Sequence, residues 1–499
     1  MKVLKEFRQN FKKSDVWIFG ILLFFLVLMT FSGPGIEGNY REIIICSVVV
    51  AVLGALLGIS IWTSMDFYKF AFLFIILVGM LSIAIQPILN IPDEVAHFAR
   101  AEFVSRGNMI VDPEQRDYDT IQSVLDLRSN VKVPYISSTV KGEKIDYTAA
   151  KIGHIAAANA SFLYFPQAIG ILIAKILQLD AIWMLWLARL GNLLCYSLSI
   201  GFALKIAPKL RNILFFIAVL PMSIHQAASC NPDAIINASA ILLIAYFLNL
   251  FCSEEKKITW KQVIIFEGLA IIMTVAKVTN MFIAGLILLL PKEKFIHRKK
   301  EVLMKCVIIG GVVIAGAVYY LYTTSFPASE EHMVYLQSVN ANSSEQIQYI
   351  IGNFTNWIFS FIRALIIAFP EYVNMLGIFG WLEYGSSIIP LVMIFLFAKI
   401  CFQESGISIN KIDKVLIFMM IAGIYAVTCF AMYISWTPVG SAEIQGVQGR
   451  YFIPMFALAS LLFTSSENSR TVQQKHIGDL VTILCMNGMM LMFTALKYY

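Results

Sequence analysis

The chain has 499 residues, 59% of them hydrophobic and only 14% charged, with a mean hydropathy of +0.74, so a water-soluble fold would leave apolar surface uncovered and the sequence reads as an integral membrane protein. The same figures exclude a disordered chain, a disulfide-stapled secreted scaffold and a free cytosolic enzyme. The net charge of +6 comes from basic residues scattered in short loops between apolar runs, a pattern of membrane orientation and not of nucleic-acid binding.

Lys2, Lys5, Arg8, Lys12 and Lys13 precede the apolar run Val16 to Phe31. No A-x-A-like cleavage site follows and further apolar runs come directly after, so the expectation is a retained first helix with its basic end in the cytoplasm. Further spans are expected near Ile43 to Trp62, Phe70 to Leu89, Trp183 to Leu204, Asn212 to Ser229, Ala234 to Cys252, Val263 to Ala276 and Phe282 to Leu290. Val302 to Tyr322, Ile388 to Cys401, Val415 to Ile434, Phe452 to Phe463 and Leu480 to Leu496 complete about thirteen crossings. If the chain starts inside, the polar stretch Ile91 to Ala158 lies outside. Four later loops then fall inside, carrying Lys205, Lys209 and Arg211; Lys256, Lys257 and Lys261; Lys292, Lys294, Arg298, Lys299 and Lys300; and Lys411 and Lys414. This holds only if Phe162 to Leu177 does not cross; it is short for a span, and Tyr164, Phe165 and Pro166 suit an anchor at the outer interface. Trp357 to Pro370 is expected to behave similarly, making a shelf on the outer face. The eight cysteines lie singly in or beside apolar runs, which reads as packing. No phosphate-cradling glycine loop of the ATP-binding kind occurs.

The strongest local signal is Pro92-Asp93-Glu94-Val95-Ala96-His97-Phe98-Ala99-Arg100, where the third span meets the outer surface. Pro92 suits the first turn of a helix, on which Asp93, His97 and Arg100 fall at i, i+4 and i+7 along one wall. The plainer alternative is that Asp93 and Glu94 complement the positive end of that helix while Arg100 pairs with a nearby acid. Glu94 and His97, at i and i+3, lack further metal ligands nearby. A structural zinc is disfavoured, and a loosely held divalent ion assisting a phosphate leaving group stays open.

A second signal, Asn231-Pro232-Asp233, joins two spans at their outer ends; Asp233 either shares a cavity with Asp93 or caps the helix that follows. Arg189 and Asn192 are placed to orient one of these acids, and Lys277 is either an outer functional cation or half of a plain salt bridge. A third signal is Trp436-Thr437-Pro438, followed by Gly446-Val447-Gln448-Gly449-Arg450-Tyr451-Phe452. Glycines let backbone N–H groups approach an oxyanion and Arg450 offers a planar fork for phosphate; the alternative is an aromatic and arginine anchor at the headgroups.

Taken in order, Pro92-Asp93-Glu94-x-x-His97-Phe98-x-Arg100, Phe162-Leu163-Tyr164-Phe165-Pro166, Arg189-x-x-Asn192, Leu220-Pro221-Met222 with Asn231-Pro232-Asp233, Gly377-x-x-Gly380-Trp381-Leu382, and Trp436-Thr437-Pro438 with Gly449-Arg450-Tyr451-Phe452 resemble a family of bacterial polytopic membrane proteins known only as a domain of unknown function, itself similar to the GT-C glycosyltransferases. The resemblance covers nearly the whole chain from the third span onward. It implies an all-α, GT-C-like bundle with interfacial helices on its outer face, acting as a lipid-linked sugar transferase. Asp93 takes the position of the base with Glu94 as its companion, and Asp233 matches a second outer acid. In several GT-C members the acidic loop follows the first span, whereas here two extra spans precede it.

The chemistry expected from this is transfer of a sugar from a polyprenyl-phosphate donor to an acceptor on a surface glycan, in a multi-pass cell-membrane protein. Asp93, Glu94 and His97 form the catalytic group, while Arg100, Arg189, Asn192, Asp233, Lys277, Gln448, Arg450 and Tyr451 bind substrate. The units are a three-span start (1–90), an outer loop with the acid and an interfacial helix (91–182), a central bundle (183–324), a second outer loop and interfacial helix (325–385), and a terminal bundle with the phosphate loop (386–499). A transporter or flippase of lipid-linked glycans is the main alternative, disfavoured because the acids gather at the boundary, away from the midplane, and no internal repeat is visible. A polymerase or ligase of lipid-linked oligosaccharides is the other.

Overall fold

A computed structural model describes residues 40–112, 117–153, 155–253, 257–296, 298–326, 330–404, 407–464 and 477–499. The first expected span, Val16 to Phe31, and the basic residues before it lie outside the described residues. The described residues are mostly helical, as the long apolar runs require, because only a segment that satisfies its own backbone hydrogen bonds can sit in lipid. In chain order the helices are α1 (Tyr40–Trp62), α2 (Phe67–Ile85) and α3 (Glu94–Ser105), then a strand β1 (Asp117–Ile121), α4 (Gln122–Ser129) and β2 (Ala149–Gly153). There follow α5 (Phe165–Ile176), α6 (Ala181–Ile206), α7 (Arg211–Ala218), α8 (Pro221–Ala227), α9 (Asp233–Cys252) and α10 (Trp260–Ala276). A 3-10 segment (Val278–Leu289) leads to α11 (Glu301–Thr324), α12 (Glu330–Ser338), α13 (Ser343–Gly352) and α14 (Phe354–Asn374). The chain ends with β3 (Ile378–Phe379), β4 (Tyr384–Gly385), α15 (Ile388–Gln403), α16 (Lys411–Ser435), a 3-10 turn (Gly449–Phe452), α17 (Ile453–Ala459), a second 3-10 turn (Ser460–Phe463) and α18 (Ile477–Tyr498). Among the described residues eight helices are long and apolar enough to cross a membrane.

The bundle has two unlike ends. At the basic end, Glu404 accepts from the backbone N–H groups of Asn212 (2.8 Å) and Ile213 (3.2 Å), closing the start of α7 with the end of α15. Lys414 there donates to the carbonyl of Thr464 at 2.7 Å, Lys305 to that of Leu290 at 2.8 Å, and Lys399 pairs with Asp479. At the other end sits a small cap: α3, α4 and the antiparallel β1–β2 ribbon, with Asp117 opposite Gly153 and Ile121 opposite Ala149. Phe98, Tyr118, Val124, Leu127, Ile152 and Tyr164 form its core.

Where a single span was expected over Asn212 to Ser229, the chain breaks between α7 and α8. Pro221 has no N–H to continue the ladder, and carbonyls near the break need other donors. Ser223 Oγ donates to Ile217 O (2.9 Å), Tyr196 Oη to Ala218 O (2.8 Å) and Asn487 Nδ2 to Val219 O (2.9 Å). The break turns α8 toward the cap end.

The 12-residue α5 reaches only about 18 Å at 1.5 Å per residue, short of the hydrocarbon thickness, and lies flat against α6. Contact is backbone to backbone: a Cβ on Gly170 would stand 2.0 Å from Leu187 O, and one on Gly191 2.1 Å from Pro166 O. Helix α14 is long enough to cross, and it runs on unbroken through Pro370. Both its ends meet the cap end, however. Trp357 and Phe361 pack on Tyr433 near the end of α16, and Tyr372 packs on Phe452.

Candidate functional site

The site is built on the loop that leaves α2. Leu89 (φ 48°) and Asp93 (φ 66°) both take the left-handed region, where a short polar side chain such as Asp is tolerated better than most. Asp93 is therefore the residue flanking α3 and not a member of its first turn, and its carboxylate does not cap the helix. This alters the expected wall of Asp93, His97 and Arg100. Arg100 is fully buried and turns to the cap, donating through NH2 to Met109 O (3.0 Å), Asn159 O (3.3 Å) and Ser161 Oγ (3.0 Å).

Glu94, expected to join the chemistry, is also fully buried. Its carboxylate takes Arg189 Nε (2.9 Å), Arg189 NH2 (2.8 Å) and the backbone N–H of Cys230 (2.9 Å), which leaves no room for a substrate. Arg189 also donates to Pro87 O (2.9 Å), so one fork ties α6 to both sides of the acidic loop. Asn192, one turn along and equally buried, donates to Ser229 O (2.8 Å) and Asn231 O (3.0 Å) and fixes the loop ahead of α9. Glu94, Arg189 and Asn192 brace the site from behind and do not line it. With Glu94 occupied, the Glu94–His97 pair is no ligand set, and among the described residues no group of three or more His, Cys, Asp or Glu is arranged to hold a metal ion.

The residues grouped around Arg450 come from distant parts of the chain. Arg450 lies on the Gly449–Phe452 turn, where Gly449 slides past α14 so closely that a Cβ would stand 1.9 Å from Tyr372 O. Its guanidinium is divided three ways: Nε to Asp233 at 3.2 Å, NH2 to Asp93 at 3.4 Å, and NH1 to Gln226 Oε1 at 3.3 Å. Arg450 is 5% exposed and Asp233 12%, while Asp93 is 35% exposed and so is the open member. Asp233 stands in the first turn of α9, with its N–H held by Asn231 Oδ1 at 2.7 Å, and its carboxylate goes to Arg450. Lys277, which ends α10, lies over the Tyr451 ring at 3.4 Å from its centroid, and among the described residues no carboxylate is within ion-pair distance of it. Such a face-on cation is held by the ring quadrupole and keeps its N–H donors for another partner.

A small crevice opens beside Arg450, lined among others by Pro92, Gln226, Met375, Gly380, Leu382 and Gln448. Its far wall is the turn between β3 and β4. That turn is pinned by Gly380 N–H to His225 Nε2 (3.3 Å), by Trp381 Nε1–H to Leu89 O (3.4 Å) and by the Lys132–Glu383 ion pair. His97 is half-buried, with Nδ1 at 2.8 Å from Tyr164 Oη. Burial pulls its imidazole below the usual range against the upward pull of Asp93 and Asp233, so it is neutral at neutral pH. Gln226 and His225 were missed from sequence; the signal was a polar pair inside an apolar run that follows a proline.

No curated protein and no solved structure matches the chain. Residues 74–459, well over half of it, match the family described as predicted membrane protein DUF2142, and the matched stretch runs from within α2 to the end of α17, taking in every side chain of the crevice. The chain belongs to that family of membrane proteins.

Proposed function

We propose that this protein is a GT-C-type glycosyltransferase of the cell membrane that moves a sugar from a polyprenyl-phosphate donor to an acceptor hydroxyl on a surface glycan, at the extracytoplasmic face. The observation that carries the reading is Arg450 held between Asp93 and Asp233 beside a crevice, with the ammonium of Lys277 close by. The connections at the basic end hold Lys205, Lys209, Arg211, Lys257, Lys261, Lys292, Lys294, Lys411 and Lys414, and the positive-inside rule puts such an end in the cytoplasm. The crevice then faces outward. Leaving out α5, which is too short to cross, and α14, which is read as interfacial, gives about thirteen crossings once Val16 to Phe31 is included, with the N-terminus in the cytoplasm.

Outside the cell a nucleotide sugar is absent, and a lipid phosphate is the leaving group at hand. Asp93 takes the proton from the acceptor hydroxyl, the hydroxyl oxygen bonds to the anomeric carbon, and the bond from that carbon to the phosphate oxygen breaks with its electron pair remaining on phosphate. Arg450 and Lys277 stabilise that anion. The 3.4 Å contact to Asp93 is the longest arm of the Arg450 fork, and a phosphate entering on that side displaces Asp93 and frees it to act. Glu94, Arg189 and Asn192 keep the loop in place during this exchange. If a divalent ion also assisted the leaving phosphate, Asp93 would be the open carboxylate near it, Asp233 being committed to Arg450.

The test is incubation of purified protein in lipid nanodiscs with synthetic polyprenyl-phosphate sugars and a glycan acceptor, reading released polyprenyl phosphate. The parent turns over, and Asp93→Asn loses about 10²- to 10⁴-fold in rate with its fold retained. A parental rate in Asp93→Asn would remove Asp93 from the chemistry.

A further inference from the structure

His97 is mounted from behind by a chain of hydrogen bonds whose donors and acceptors can be counted. The Tyr164 hydroxyl is fully buried and owns one proton and two lone pairs. Asn159 Nδ2 donates to it at 2.8 Å, which uses a lone pair. For the hydroxyl proton, the acceptor at hand is Nδ1 of His97, also at 2.8 Å. An Nδ1 that accepts carries no proton, so in the neutral ring the proton sits on Nε2. Nε2 has no hydrogen-bond partner among the described residues and is not sealed in the interior. The charges that bear on the ring are Asp93, Asp233, Arg450 and Glu94.

We infer that Tyr164 and Asn159 are positioning residues that lock His97 in its Nε2–H form, so that His97 offers a hydrogen-bond donor to an oxygen of the ligand and does not act as a base. This rests on the glycosyltransferase reading for the identity of that oxygen, though not for the tautomer. An acceptor hydroxyl held this way gives its proton to Asp93 and takes Nε2–H on one lone pair, which leaves the other lone pair aimed at the anomeric carbon. The division of labour follows from counting protons: Asp93 receives, His97 donates, and neither duplicates the other. Arg100 belongs to the same device. Its NH2 grips Asn159 O and Ser161 Oγ, fixing the segment that carries both Asn159 and Tyr164. That gives the arginine of the Asp93–Arg100 motif a role seven residues from the acid without any contact to it.

The experiment is ¹⁵N NMR of the full chain in nanodiscs at neutral pH, with histidine rings labelled. His97 is identified by subtracting the spectrum of His97→Gln, and the other five of the six histidines report on the fold. The expected result is a His97 ring with a proton-bearing Nε2 and a bare Nδ1. In Tyr164→Phe, which keeps the ring volume and removes only the hydroxyl, a substantial Nδ1–H population appears while the remaining histidine signals stay put. A parent ring protonated on Nδ1, or a Tyr164→Phe spectrum identical to the parent at His97, overturns the inference. Because no turnover is read, either result stands apart from the success or failure of the sugar-transfer assay.

Discussion

Asp93 and Glu94 are neighbours in the chain, both carboxylates, and each pairs with an arginine from far away in sequence. Glu94 meets Arg189 through two contacts of 2.8 and 2.9 Å with neither side chain exposed, and a backbone N–H takes up one of the same oxygens. Asp93 meets Arg450 through one contact of 3.4 Å, with about a third of its side-chain surface exposed. One residue of offset thus separates a saturated ion pair that holds the fold from an unsaturated one that has capacity left for a ligand. The left-handed backbone at Asp93 is the physical cause, since it swings that side chain out while the next one enters α3 and turns inward. Burial and coordination, not residue type, decide which acid is available.

Breaking the closed pair has the largest expected effect. Glu94→Ala leaves the Arg189 guanidinium buried without its counter-ion and costs about 3 to 5 kcal/mol, seen as a collapse in folded yield and a large fall in unfolding temperature in detergent. Asp93→Asn, in contrast, leaves unfolding nearly unchanged and removes activity as described above; if the two variants behaved alike in a melt, the contrast between the pairs would be gone. Arg450→Lys comes next. A single ammonium cannot reach Asp233, Gln226 and Asp93 together, so sugar transfer falls about 10²- to 10³-fold while the charge kept beside Asp233 preserves the fold. Gly449→Ala tests the mounting of that arginine. Its methyl must push the turn away from Tyr372 O, and a shift of about 1 Å is enough for roughly a 10²-fold loss of rate. A parental rate would mean that the turn relaxes without moving the guanidinium.

Seven of the expected spans return as long apolar helices, since lipid demands such runs, whereas Asn212 to Ser229, Val263 to Ala276, Phe282 to Leu290, Ile388 to Cys401 and Phe452 to Phe463 are shorter or broken, and the eighth long helix, α14, is one expected at the interface. Asp93, Asp233 and Arg450 stand out in the sequence because charges at the ends of such runs need a reason to be there. What the sequence concealed was partnership and phase. Nothing local says that Glu94 bonds a residue 95 positions on, since that pairing exists only once α6 packs behind the loop. The i, i+4, i+7 spacing of Asp93, His97 and Arg100 holds only for a helical Asp93. Its left-handed backbone places it outside that count, and Arg100 went to the cap. The break at Pro221 was visible as a proline in an apolar run, yet its consequence, Gln226 delivered to Arg450, depends on the angle between α7 and α8. Tertiary packing overrode the local pattern in each case.

A third acid–base pair completes the series and carries the smallest effect. Lys132 and Glu383 are 34% and 35% exposed, on the rim where the cap meets the β3–β4 turn. Water screens such a pair, so Glu383→Gln costs only about 0.2 to 1 kcal/mol in unfolding, and the difference from the parent shrinks as salt shortens the Debye length. Lys132 keeps its position 5.2 Å over the Trp381 ring, and the turn keeps its bonds to His225 and Leu89, so the crevice wall stays in place. Melting curves of parent and variant at low and high salt check this. A salt-independent loss above about 2 kcal/mol would show that the rim pair is as deeply committed to the fold as Glu94 and Arg189, and exposure would then no longer rank the three pairs.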